Sequence, residues 1–243
     1  MKHPTDAGTN KTGIDMSPVD VQELLNGVNA SRPSSEGDES TLASYRSSYL
    51  KEADPVGSVP VPGSLKGAAK TGMQKLMGRK PEVLLDKLGA RLAFERAGTR
   101  LYDALLNKCL IRSDEAGRLP MDQLRKFRDE EAQHFALVWD AMKSLGADPT
   151  AVTPGADIDG VASIGLMQAI TDPRTSVAQS LHAIHIAELA DHDGWKLLIK
   201  LAEELGQDDM ASTFRGALAE EERHLATIRE LIEKLCMSEA GVA

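Results

Sequence analysis

Aromatic residues are scarce in this chain: two Trp, three Tyr and four Phe in 243 positions. Strands of sandwiches and barrels draw on aromatic and β-branched residues, so the composition argues against an all-β fold. Cysteine is scarcer still. Cys109 and Cys236 stand 127 positions apart and form neither a C-x-x-C pair nor a zinc spacing. They read as buried free thiols of a reducing cytosol. Nowhere do 18 uncharged apolar residues follow one another, which excludes a membrane-crossing helix. The opening run MKHPTDAGTNKTGIDMSP lacks the apolar core of a secretory signal. The expectation is a cytoplasmic protein. Positive charge is also short: 28 Lys and Arg against 37 Asp and Glu leave a net charge of -9. A surface that tracks phosphates is disfavoured, and with it a nucleic-acid partner.

What is present divides near Pro81. Residues 1–80 hold 10 basic and 9 acidic residues, whereas 81–243 hold 18 and 28. Seven of the 11 prolines lie at or before position 81, among Ser/Gly-rich patches such as SRPSSEGDES and DPVGSVPVPGS. Residues 1–80 therefore read as an N-terminal arm, partly disordered over 1–40, with short helices. The helices are expected from Ser17-Pro18 to about Asn29, over Leu42–Ala53, and over Ser64–Met77. The stretch 64–80 carries five basic residues and no acidic one. A basic amphipathic helix there could touch an anionic surface. Packing against an acidic bundle, its own or a neighbour's, is the favoured use, and the stretch is left unassigned.

From 81 to 238 the apolar period is helical throughout. Four long helices are expected, over about 82–110, 120–145, 173–205 and 208–235. Gly146 and Gly206 act as stops for the second and third. The apolar stripes are broken at matching places. Glu95 falls between Leu92 and Tyr102, and Glu131 between Phe127 and Phe135. Glu188 falls between Leu181 and Trp195, and Glu221 between Leu218 and Leu225. Each lies about 11–15 residues past its helix start, roughly 17–22 Å along the axis, so all four meet near mid-length. An ionised carboxylate in an apolar core costs many kcal/mol without a counter-charge.

The spacing names that counter-charge. Glu131-Ala-Gln-His134 and Glu221-Glu-Arg-His224 are both Glu-x-x-His, which places each pair on one helix face. A lone Glu precedes each motif on the helix before it. One Glu from each of two helices and Glu-x-x-His from each of the other two is the ligand set of di-iron and di-manganese bundles. Four carboxylates and two divalent ions sum to zero charge.

Over roughly 82–236 the chain resembles the ferritin-like superfamily, which includes rubrerythrins, bacterioferritins, ribonucleotide reductase small subunits and manganese catalases. ELADHDGW at 188–195, with LLIKLAEELGQDDMASTFRGALAEEERH after Lys196, looks most like the bacterial stress-associated ferritin-like proteins. The resemblance implies an all-α four-helix bundle with a long crossover, here about 27 residues from Gly146 to Asp172. It implies metal ligands Glu95, Glu131, His134, Glu188, Glu221 and His224, with Glu131 and Glu221 as bridging carboxylates. No Cys pairs of a rubredoxin-like module are present. Two Fe or Mn ions per chain and O2 or H2O2 as oxidant follow, as peroxidase, catalase or ferroxidase. Iron storage in a hollow oligomer, or ions that only hold helices together, are the alternatives. A homo-oligomer is expected, with the arm as a route to it, and no membrane partner.

Around the site, His185 and His192 share the face of Glu188, and His192 is a candidate further ligand or proton relay. Asp191 is a candidate to orient a ligand imidazole. Tyr102 sits two turns from Glu95, where it could bond a ligand or pack in the core. Trp139 and Trp195 read as core residues, and Glu220 and Glu222 as solvent-facing.

Overall fold

The computed structural model describes residues 7–32, 39–76, 78–117 and 119–242. Among them are nine helices and no strand: α1 (Pro18–Ala30), α2 (Glu39–Glu52), α3 (Leu65–Leu76), α4 (Pro81–Ile111), α5 (Ser113–Ala116), α6 (Met121–Ser144), α7 (Pro154–Thr171), α8 (Val177–Glu204) and α9 (Asp208–Glu239). The protein is all-α. No helix among the described residues is long and apolar enough to cross a membrane.

The chain forms two compact units, 1–55 and 56–243. The division falls ahead of the composition shift at Pro81, so α3 goes with the larger unit. The first unit carries α1 and α2, neither of which buries a residue. Part of the arm expected to be disordered, 1–6 and 33–38, lies outside the described residues.

In the larger unit, the Gly63 amide donates to the Gly146 carbonyl at 2.8 Å. A Cβ at Gly67 would meet the Leu145 carbonyl oxygen at 2.8 Å, so glycine is what lets the start of α3 lie on the end of α6. The segment before α4 is thus packed on its own chain's helices.

Four long helices, α4, α6, α8 and α9, surround the core. Leu84, Leu88, Val138, Trp195 and Phe214 belong to one apolar cluster. Leu105, Leu124, Phe127, Leu181 and Ile228 belong to a second. α4 and α9 run from the first cluster to the second, and α6 and α8 run the other way. The second and third of the four long helices, α6 and α8, thus point in the same direction. The chain between them must return the length of the core, and it does so as a helix. α7, 18 residues long, packs on α4 and α8. Thr153 caps it by accepting from the Ala156 amide, and Pro154 opens it. At its far end the Lys108 ammonium holds the Asp172 and Thr175 carbonyls, meeting the free acceptors of a helix C-terminus.

Helix boundaries follow local chemistry. Gly146 (φ 80°) and Gly206 (φ 68°) end α6 and α8 in the left-handed region. The expected start of α8 at Pro173 is corrected. Ser176 and Gln179 form a reciprocal capping box, so the helix begins at Val177 and Pro173 stays in the turn before it. The crossover helix α7 and the short α5 were not anticipated. Cys109 is buried, and burial pushes its thiol up to about 11. Cys236 is exposed, contrary to the expectation of two buried thiols.

Candidate metal centre

Between the two apolar clusters lies one polar layer. Glu95, Glu131, His134, Glu188, Glu221 and His224 are each at most 2% exposed. The four long helices contribute one layer because their polar positions fall at the same height between apolar ends. The six side chains form two overlapping groups, Glu95–Glu131–His134–Glu221 and Glu131–Glu188–Glu221–His224, with one donor atom per residue all within 4.8 Å in each group. Glu131 and Glu221 belong to both.

The inward-facing atoms find no hydrogen-bond partner except one another. They include both oxygens of Glu95 and of Glu221, one oxygen each of Glu131 and Glu188, and Nδ1 of His134 and His224. His134 Nδ1 lies 2.7 Å from Glu221 Oε1 and 3.8 Å from Glu95 Oε2. His224 Nδ1 lies 3.4, 3.5 and 3.7 Å from carboxylate oxygens of Glu221, Glu131 and Glu188. So many orphaned buried donors and acceptors facing one another are rare in a protein interior. Hard oxygens with two imidazole nitrogens form a donor set that suits Fe or Mn.

The outward nitrogens are all engaged. His134 Nε2 lies 2.8 Å from Glu220 Oε2, and His224 Nε2 lies 2.8 Å from Glu130 Oε2. An ionised carboxylate only accepts, so each Nε2 carries the proton, and in the neutral imidazole the Nδ1 lone pair points inward. The arrangement is reciprocal. In each Glu-Glu-x-x-His run the second Glu enters the layer, while the first reaches the imidazole of the other run. Sequence reasoning missed both partners. It placed Glu220 in solvent, yet that residue is half-buried against His134; Glu222 is exposed as expected. The doubled acid at 130–131 and 220–221 was the available clue.

Asp191 does not orient an imidazole. Its side chain and carbonyl accept from Arg91, whose Nε is also 3.4 Å from Glu95 Oε1. Arg91 is 5% exposed, a buried cation that the helical pattern of α4 concealed. It stacks on Phe94 at 4.5 Å and faces the Trp195 ring at 5.8 Å. The Tyr102 hydroxyl donates to Glu188 Oε1 at 2.5 Å. His192 is outside the layer, 3.4 Å from Asp193 and 3.9 Å from Glu222. His185 lies beside Arg229. Trp195 is fully buried, and Trp139 is half-buried against Phe135.

Glycine at 98 makes the layer possible. A Cβ there would overlap the Glu131 Oε2 oxygen, so only a bare α4 backbone lets Glu131 extend inward.

The electrostatics follow from crowding. Burial, and then neighbouring acids, hold Glu95, Glu131 and Glu188 well above the usual carboxylate range. Burial likewise lifts Asp191, with Arg91 opposing, to about 7. Burial works on Glu221 in the same sense, but the His134 and His224 imidazoles outweigh it and bring Glu221 to about 2. Burial opposes the charge on His224, yet Glu221 and the surrounding acids raise it to about 9; His134 is raised for the same reason. With no ion to balance them, these residues share protons.

No known protein family, curated protein or solved structure matches the chain.

Proposed function

We propose that the four long helices form a ferritin-like bundle and that this protein is a cytoplasmic di-metal carboxylate redox protein acting on O2 or H2O2. The observation that carries the reading is the pair of overlapping donor groups sharing Glu131 and Glu221. Glu95 and His134 would hold one ion, Glu188 and His224 the other, and Glu131 and Glu221 would serve both. Two Fe or Mn ions there would supply two-electron exchange with an oxidant. Four carboxylates and two divalent ions are neutral, and the Arg91–Asp191 pair adds no charge.

The chain's own residues have separate tasks. Glu130 and Glu220 orient the two imidazoles and keep their inner nitrogens basic. Tyr102 holds a proton against Glu188, and burial with that carboxylate nearby keeps the phenol protonated far above its ordinary range. The apolar clusters on either side close the two ends of the layer.

Elemental analysis of chelator-free protein tests the reading, with about two Fe or Mn per chain expected from the doubled donor set. One zinc ion, or no metal, overturns it. Turnover of H2O2 or O2 by the loaded protein distinguishes an enzyme from a scaffold held by ions, and size-exclusion mass identifies a storage shell.

A further inference from the structure

Two hollows lie beside the carboxylate layer and share one wall. The outer one is an open cleft of about 470 Å³ between α4, α7 and α8, lined among others by Lys87, Ala90, Arg91, Ile158 and Leu197. The inner one is about 10 Å³, room for a single water-sized molecule. Its lining includes Gly98, Tyr102, Asp191 and two proposed metal ligands, Glu131 and Glu188. Phe94 alone lines both.

The ring is braced rather than loose. Arg91 lies over it at 4.5 Å and is itself tied to Asp191 and Glu95. Across the cleft, α8 offers Gly194, where a Cβ would come within 2.8 Å of an Arg91 guanidinium nitrogen. A bare backbone at 194 therefore leaves Arg91 the space it needs to cover Phe94. Along α4, the turn after Phe94 brings Gly98, which leaves the inner hollow open beside Glu131. Above and below the layer the two apolar clusters close it off.

We propose that the α4–α7–α8 cleft is the entrance to the carboxylate layer and that Phe94 is its gate, passing small uncharged molecules. The proposal rests on the di-metal reading. Its size limit comes from the inner hollow, which is far smaller than the cleft that feeds it. The outer cleft collects and the ring selects, so the bulk at position 94 sets how fast a small neutral molecule reaches Glu131 and Glu188.

Nitric oxide is a suitable probe, being uncharged and of two heavy atoms. Protein is loaded with Fe(II) without oxygen, its metal content is measured, and nitric oxide uptake is followed by stopped-flow absorption. The wild type is compared with Phe94→Leu, Phe94→Ala and Phe94→Trp. Phe214→Leu, a fully buried aromatic lining neither hollow, reports general loosening of the core. Uptake should rise about tenfold in Phe94→Ala, less in Phe94→Leu, and fall about tenfold in Phe94→Trp, as for a gated entry. Phe214→Leu should match the wild type. If every form loads two ions and the rate ignores the size of residue 94, the gate is overturned and the di-metal reading stands. If the wild type loads no iron, both fall.

Discussion

At the scale of single residues, neighbours along one helix have opposite fates. Glu221 is enclosed and Glu222, one position on, is exposed. Glu131→Ala or Glu221→Ala removes an acid common to both donor groups, so loading of both ions should be lost. Glu222→Ala should load like the wild type, by metal analysis after dialysis. Equal behaviour of Glu221→Ala and Glu222→Ala would show that the layer is not the metal site. Gly98 gives an independent test. On an ordinary helix, Gly→Ala is stabilising by about 1 kcal/mol. Here the added methyl collides with Glu131, so Gly98→Ala should lower both the melting temperature and metal affinity. A stabilised variant that still loads two ions would mean Glu131 does not reach inward past Gly98.

At the scale of elements, the start of α8 is held by side-chain bonds at Ser176. Its hydroxyl accepts from the Gln179 amide, and the Gln179 side chain accepts from the Ser176 amide. Ser176→Ala should cost about 1 kcal/mol, a drop of roughly 2–4 °C in melting temperature for a domain of this size. Ser176→Asp, which keeps a capping oxygen, should recover most of that loss in the same calorimetric series. Metal content should not change, because Glu188 lies three turns further along. The same element shows why helix starts are hard to place from sequence. Pro173 and Ser176 both qualify as openings, and the reciprocal bond to Gln179 decides between them.

At the scale of the whole molecule, the carboxylate layer couples stability to pH. Glu95, Glu131 and Glu188 are raised by burial and by neighbouring acids, so in metal-free protein their stabilising contribution is present at low pH. It is lost as pH rises through the raised values. The His134 and His224 contributions follow the same sign, that of His224 fading near 9. Ions require ionised carboxylates and neutral imidazoles, so they compete with those protons and gain as pH rises. The melting temperature of loaded protein should therefore exceed that of chelated protein most near pH 8 and least near pH 5. Parallel curves across that range would sink the coupling.

The sequence by itself determined the helical class, because a 3.6-residue apolar period leaves no other way to bury those stripes. It also singled out Glu95, Glu131, His134, Glu188, Glu221 and His224, since acids that interrupt an apolar stripe at one height must face one another. Gly146 and Gly206 were legible as stops for the same local reason. Only the tertiary structure decided the rest. Glu130 and Glu220 look like surface acids along their own helix, and their partners lie 94 and 86 positions away. Arg91 is an ordinary helix cation until α8 sets Asp191 beside it, and Gly98 an ordinary weak spot until α6 sends Glu131 across it. The return of the chain as α7 was equally hidden, because it follows from the directions of α6 and α8. Periodicity shows which face of a helix is buried; what that face meets depends on chain that is remote in sequence.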